Sequence, residues 1–140
     1  MKGEIRIEDV EEGMKSSFVH RITNEEVLDF AKVTGDYNPI HVDDDFAKKS
    51  RFGRRVVHGM LTASFFSRIF GTQFPGNGCI YIAQELSFKK PVYIDDEVTA
   101  SVIVTSIDLT RRRVYFSTVC EVRNVVVTTG SAEIYMPKEE

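Results

Sequence analysis

The chain has 140 residues, a length typical of one domain built around one hydrophobic core. Hydrophobic residues make up 42% of the sequence and charged residues 28%, which is ordinary for a globular protein. The net charge of -3 gives no general attraction to phosphate backbones, so we do not expect nucleic acid as a partner.

The N-terminal segment argues against a secretion signal, because MKGEIRIEDVEEG carries acidic residues throughout. No stretch of about 18 consecutive apolar residues occurs, so we expect no membrane-spanning segment and a cytoplasmic protein. Cys79 and Cys120 lie far apart in apolar surroundings and match no metal-ligand spacing, which predicts two reduced, buried thiols.

The first elements in chain order are a short strand, SSFVHRIT, and a helix that starts after Thr23. Thr23 and Glu26 form a capping-box pattern, and an apolar stripe at helical spacing follows up to Val33. Gly35 is placed for a left-handed C-cap. We expect irregular backbone over 36–41, because Pro39 removes a donor and pushes Asn38 toward an extended conformation.

The remainder of the sequence predicts first helices and then strands. We expect a short helix over about 43–50, a basic connection RFGRR, and a helix over about 59–74 that is buried because apolar residues cover nearly every side. Period-two and apolar β-rich patterns then predict strands at about 79–90, 97–108, 112–123 and 125–136, with a tight hairpin at Asn124. This order predicts an α+β fold in which an antiparallel sheet wraps around one helix. The exposed sheet edges would be covered by a second copy, so we expect a homodimer.

The stretch TGDYNPIHVD places two chemically useful side chains, Asp36 and His41, on a loop that folds back at Pro39. Taken by themselves, these residues more often have ordinary turn and structural roles. A metal site using His41 with Asp36, Asp43 or Asp44 would be poor in ligands, so we expect no metal. No G-x-S-x-G motif supplies an exposed nucleophile.

The stretch VVHGM predicts a helix start at His58 and Gly59. Free N–H groups and the positive end of the helix dipole would stabilise an oxygen that gains negative charge, and Gly59 lets a ligand approach the backbone closely. A base together with an oxyanion site suits the addition of water to a conjugated double bond, or its loss.

Three stretches carry a resemblance to a known family: AKVTGDYNPIHVDDDFA, VVHGMLTASFFSRIFG and YIAQELSFKKPVYIDDEVTASVIV. They resemble the MaoC-like (R)-specific enoyl-CoA hydratases, the hydratase 2 group with a hot-dog fold. The likeness covers about residues 17–137 and implies one hot-dog domain over 1–140, an antiparallel sheet wrapped around a long central helix, that works as a homodimer.

The resemblance implies that Asp36 and His41 are the catalytic pair that holds one water for addition to a trans-2-enoyl-CoA, giving a (3R)-3-hydroxyacyl-CoA. It implies that the Gly59 N–H binds the thioester carbonyl, that Asn38 shapes the loop, and that Ser67 and Phe70 lie in the acyl pocket. No cofactor is expected, since coenzyme A is part of the substrate.

Two further interpretations concern substrate range. The rings of Phe65, Phe66 and Phe70 either narrow the acyl site, which favours short chains, or simply pack the core. A basic cluster before the site helix either contacts the phosphates of coenzyme A or is a solvated face; it comprises Lys48, Lys49, Arg51, Arg54 and Arg55.

Two alternative functions remain open, and a third is disfavoured. The same site could work as a 3-hydroxyacyl thioester dehydratase, on coenzyme A or on an acyl carrier protein. A hot-dog domain could also bind acyl-CoA without catalysis. A hot-dog thioesterase is disfavoured, because it would direct water at the carbonyl carbon instead of C3.

Overall fold

The structure, a computed structural model, describes residues 5–138. Five antiparallel strands form one sheet in the order β1-β3-β4-β5-β2. Their bounds are β1 Lys15–Arg21, β2 Ile80–Phe88, β3 Glu97–Asp108, β4 Arg113–Val122 and β5 Val125–Tyr135. The predicted α+β class and all five predicted strands are confirmed, each to within about two residues.

The strand β4 shows why the pattern was readable from sequence. Alternate residues from Val114 to Val122 are buried, and the residues between them are half-exposed. Val122 pairs with Val125 across a two-residue turn, in which Arg123 and Asn124 both have positive φ. This is the backbone of a tight hairpin, so the predicted turn at Asn124 is confirmed.

The first helix, α1, spans Asn24–Thr34 and carries both of its predicted caps. The Thr23 side chain accepts from the Glu26 N–H, and the Glu26 carboxylate accepts from the Thr23 N–H. Gly35 ends the helix with φ of 79°, in the left-handed region. The chain therefore leaves α1 in a defined direction, toward Asp36.

The prediction of irregular backbone over 36–41 was wrong in part, since Pro39–Val42 form a one-turn helix, α2. The Asn38 side chain caps it by accepting from the Ile40 N–H at 3.2 Å, and Pro39 occupies the first turn, where it needs no donor. The next helix, α3, spans Asp44–Lys48 with Asp43 as its N-cap, close to the predicted range.

The helix at the centre of the fold, α4, spans Gly59–Arg68 and continues as a π-helix over Ile69–Gln73. Phe66 and Phe70 are fully buried against the sheet, in a core shared with Phe116 of β4 and Val102 of β3. Burial on every side was a wrong expectation, because Met60 is 58% exposed. Ser64, Ser67 and Arg68 continue that exposed side.

The cysteines are both free, as expected, but only Cys120 is fully buried. Cys79 is half-buried, a correction to the prediction, and its thiol donates to the Phe70 carbonyl. Within residues 5–138 no helix combines the length and hydrophobicity needed to span a bilayer.

Candidate active site

The carboxylate of Asp36 is held by the short segment between α1 and α2. The Asp36 N–H donates to the Thr34 hydroxyl at 3.2 Å, and the Asn38 N–H donates to Asp36 Oδ1 at 3.3 Å. These local bonds form an Asx-type turn that fixes the side chain on its own loop. Asp36 is exposed and lines two neighbouring cavities.

The imidazole of His41 is oriented by the chain that leads into α4. Its Nδ1 lies 2.7 Å from the Val56 carbonyl oxygen, an acceptor, so Nδ1 carries the proton. Nε2 therefore bears a lone pair that can accept a hydrogen bond from a ligand.

The two side chains meet, as the loop prediction required. One carboxylate oxygen of Asp36 and one ring nitrogen each of His41 and His58 all lie within 4.8 Å of one another. Two acceptors can share one water when their separation is below about twice a normal hydrogen-bond length, roughly 5.6 Å. The Asp36 carboxylate and the His41 ring satisfy this distance for at least one ring nitrogen.

The start of α4 faces the same space. Gly59 and Met60 are its first residues, and the first turn of a helix leaves its N–H groups without partners in the helix. His58 provides no side-chain cap there. A Cβ on Gly59 would lie 2.7 Å from the ring of Phe88, so a side chain would fill the approach to these donors. An oxygen with negative charge would be stabilised at this helix end.

Sequence reasoning missed the contacts of His58, which it placed only at the helix start. The His58 ring stacks on the His41 ring at a centroid distance of 3.9 Å and an interplanar angle of 27°. Its Nε2 lies 3.0 Å from the Asp36 carbonyl oxygen, and the ring of Phe30 lies at 4.8 Å. His58 is 2% exposed, and burial lowers the pKa of its imidazole, with the His41 ring adding to that effect. The presence of a histidine in VVHGM was the one sequence signal for this role, because the partners of His58 lie far away in sequence.

A metal ion would find an unfavourable arrangement of donors here. Within residues 5–138, Asp36, His41 and His58 form the one group of three candidate ligands within reach of one another. Imidazole lone pairs lie in the ring plane, so two nearly parallel stacked rings do not aim at one point. The other predicted candidates are used elsewhere: Asp43 caps α3 and Asp44 pairs with Arg55.

Two cavities meet at Asp36 and Met60. The first, which we call the thioester cavity, has a volume of about 380 Å³, and its lining includes His41, Gly59 and Phe88. The second, which we call the acyl cavity, has a volume of about 690 Å³. It runs between α4 and β2, with a mostly apolar lining that includes Ala63, Ser67, Tyr81 and Leu86.

Residues 8–130 match a family model that is described as MaoC like domain. The chain therefore belongs to the MaoC-like domain family. An (R)-specific enoyl-CoA hydratase from Rhodospirillum rubrum is 42% identical over 130 residues, which cover 93% of this chain and 90% of that relative. A 3-hydroxybutyryl-CoA dehydratase from Methylorubrum extorquens is 40% identical, in an alignment that covers 100% of this chain and 91% of that relative.

A solved structure extends the comparison to the fold of this MaoC-like domain. An (R)-hydratase from A. caviae involved in PHA biosynthesis matches with a TM-score of 0.90 and 41% identity, covering 92% of this chain and 98% of that one. The hot-dog arrangement expected from the resemblance is thus confirmed.

The remaining predicted site residues of this MaoC-like domain lie at different places relative to the two cavities. Ser67 lines the acyl cavity, and Asn38 caps α2 without lining either cavity. Phe70 is 1% exposed and also lines neither cavity, but its ring contacts Tyr81, which does, at a centroid distance of 5.1 Å. Any effect of Phe70 on a ligand would act through Tyr81.

The basic cluster splits into separate parts. Arg55 is buried and donates to the His41 carbonyl oxygen at 2.6 Å, so it stabilises the backbone that carries His41. Arg54 stacks on Tyr93, whereas Arg51 reaches the rim of the thioester cavity. Lys89 and Lys90, which sequence reasoning did not select, line the same rim.

Proposed function

We propose that the chain catalyses the reversible (R)-specific hydration of trans-2-enoyl-CoA to (3R)-3-hydroxyacyl-CoA. The observation that carries this proposal is the meeting of Asp36 and His41 within one water's reach, beside the first turn of α4. Family membership and the similarity to an (R)-specific enoyl-CoA hydratase support the same reaction.

The first step is the orientation of a water by two acceptors. The water donates one hydrogen to the Asp36 carboxylate and the other to Nε2 of His41, which leaves an oxygen lone pair directed at C3. Asp36 is the general base toward this water, and His41 holds and polarises it.

The second step moves charge onto the thioester. As the C3–O bond forms, the electron pair of the C2–C3 double bond shifts to give an enolate, and Asp36 takes a proton from the water. N–H groups at Gly59 stabilise the enolate oxygen. The proton that Asp36 has taken is then delivered to C2, which restores the carbonyl and the ionised Asp36, and the reverse sequence is the dehydration.

The carrier group of the substrate is coenzyme A in this proposal. Arg51, Lys89 and Lys90 lie on the rim of the thioester cavity, where their charges can meet phosphates outside the reacting centre. No separate cofactor or metal is needed, because the water, the base and the oxyanion donors complete the chemistry.

A short acyl chain is the preferred substrate in this proposal, but the reason differs from the sequence argument. Phe65 and Phe66 are buried in the core and line neither cavity. The limit on length lies instead at Tyr81, at the far end of the acyl cavity from Asp36.

The homodimer is also a proposal. β2 is an edge of the sheet, and Ile80, Ile82 and Phe88 on it are each 44% exposed or more. An apolar edge strand of this kind is covered in stable proteins, and a second copy that pairs with it would satisfy its free backbone groups.

The direct experiment follows the conjugated enoyl absorbance of crotonyl-CoA after the purified protein is added. Hydration removes this absorbance and yields (3R)-3-hydroxybutyryl-CoA on chiral analysis. Binding without loss of absorbance would indicate a noncatalytic module, and free thiol release would indicate a thioesterase.

The carrier is tested with the same acyl group on coenzyme A and on an acyl carrier protein. A higher kcat/KM with coenzyme A supports the present proposal. Faster turnover of the carrier protein substrate, in either direction, supports the alternative of an acyl-carrier-protein dehydratase.

A further inference from the structure

His58 contacts both Asp36 and His41. It reaches Asp36 through the backbone carbonyl at 3.0 Å and His41 through ring stacking at 3.9 Å. The Phe30 ring lies against it at a centroid distance of 4.8 Å. The imidazole is thus held between an aromatic ring of α1 and the ring of His41.

The protonation state of His58 follows from its partners. The Asp36 carbonyl oxygen can only accept, so Nε2 carries the proton. Burial lowers the pKa of this imidazole, and neighbouring His41 lowers it further, while the Asp36 carbonyl and carboxylate act in the opposite direction. The net lowering keeps the ring neutral at pH 7.

The other nitrogen of His58 gives the feature that a purely structural role does not explain. Nδ1 is buried and has no hydrogen-bond partner among the described residues. A buried polar atom without a partner costs free energy, and packing against Phe30 and His41 alone would be met at lower cost by an apolar side chain. A histidine here therefore serves a purpose other than packing.

We propose that His58 is a positioning residue that fixes the backbone of Asp36 and the ring plane of His41 at once, so that both acceptors address the same water. It does not touch the reacting atoms. This inference depends on the proposed hydration. Removing either contact lets one acceptor turn away, which lowers the rate of the chemical step more than it weakens substrate binding.

Two substitutions separate the two contacts. His58→Phe keeps the stacking on His41 and loses the donor to Asp36, whereas His58→Gln keeps a donor and loses the ring. His20→Phe is the matched control, since His20 pairs with Glu26 and lines neither cavity. Each variant is assayed for crotonyl-CoA kcat and KM, for the pH dependence of kcat, and for thermal unfolding.

The expected result for His58→Phe is a melting temperature close to that of the wild type, because removal of the unpartnered Nδ1 offsets the lost donor to the Asp36 carbonyl, with kcat lowered at least about tenfold and KM changed less than about threefold. The same tenfold loss is expected for His58→Gln, and no loss for His20→Phe. A kcat within about twofold of wild type in both His58 variants, or a loss matched by unfolding, would overturn the inference.

Failure of the proposed hydration is distinguished by a readout without turnover. Nitrogen NMR of the His41 imidazole should show one fixed tautomer, protonated at Nδ1, in the wild type, and a mixture in His58→Gln. If the wild type leaves crotonyl-CoA unchanged, the proposed function fails, and these spectra still decide the positioning role. One unchanged tautomer in His58→Gln would contradict it.

Discussion

Adding a single carbon at Gly59 should lower activity without lowering stability. A Cβ there would lie 2.7 Å and 2.8 Å from two ring atoms of Phe88, so this ring, which lines the thioester cavity, would have to shift. Gly59→Ala should therefore crowd the approach to the helix N–H groups, although alanine is the better helix former.

We expect Gly59→Ala to lower kcat/KM for crotonyl-CoA by roughly 10²-fold, the scale of losing an oxyanion donor, with an unchanged or higher melting temperature. Gly71→Ala is the matched control, because a Cβ on Gly71 meets no heavy atom within 4 Å. Equal activities of the two variants would remove Gly59 from the oxyanion site.

The residues of the site were predictable from sequence to different degrees. Asp36, His41 and Gly59 were selected by a motif and by chemistry, since the loop at Pro39 and the start of α4 are local features. The role of His58 was not predictable, because His58, Phe30 and His41 belong to three separate segments of the chain. Stacking between such segments leaves no periodic signal in a sequence.

At the level of elements, the pairing of α4 with β2 shapes the acyl cavity. β2 runs back along α4, so that Phe88 lies near Gly59 at one end and Tyr81 contacts Phe70 at the other. Met60 and Ser67 are seven positions apart on the helix, about 10 Å at 1.5 Å per residue. Tyr81 therefore closes the end opposite Asp36, and its hydroxyl donates to the Gln84 side chain.

Tyr81→Ala should open the acyl cavity to longer chains. We expect the ratio of kcat/KM for octenoyl-CoA to that for crotonyl-CoA to rise at least about tenfold, because a few methylene groups that now meet the ring would be buried at about 0.8 kcal/mol each. Tyr115→Ala on β4 is the control, since Tyr115 does not line the acyl cavity. If wild-type activity rises steadily from four to twelve carbons, the short-chain proposal fails.

The elements themselves were largely predictable, and the exceptions have local causes. Strands followed alternation, and α1 followed its capping box. The sequence did not reveal α2, because Pro39 was taken as a helix breaker, whereas proline is well suited to the first turn. The exposed side of α4 was missed because Met60 is apolar yet faces the cavities.

For the whole molecule, the proposed dimer forms through the exposed edge at β2. We expect the wild type to be a dimer by light scattering on a sizing column, and Ile82→Lys to shift it toward the monomer, because a buried charge without a partner opposes association. Leu109→Lys is the control, since Leu109 is 58% exposed in the turn between β3 and β4. A monomeric wild type, or a dimer unaffected by Ile82→Lys, would contradict the assembly proposed here.

The fold of the whole molecule was predicted as a class, a sheet wrapped around a helix, from the order of its elements. Its two cavities were not predicted. They depend on the distance between α4 and β2, and the volumes of many side chains jointly set that distance. This is why the three phenylalanines were considered for the acyl site although Phe65 and Phe66 belong to the core.

The most direct test of the central claim compares Asp36→Asn with Asp43→Asn in crotonyl-CoA hydration. Both are exposed loop carboxylates changed to isosteric amides, and asparagine keeps the helix cap at position 43. We expect Asp36→Asn to lower kcat by roughly 10²- to 10⁴-fold with unchanged folding, and Asp43→Asn to remain near wild type. A folded Asp36→Asn variant with near wild-type kcat would show that this carboxylate does not activate the water.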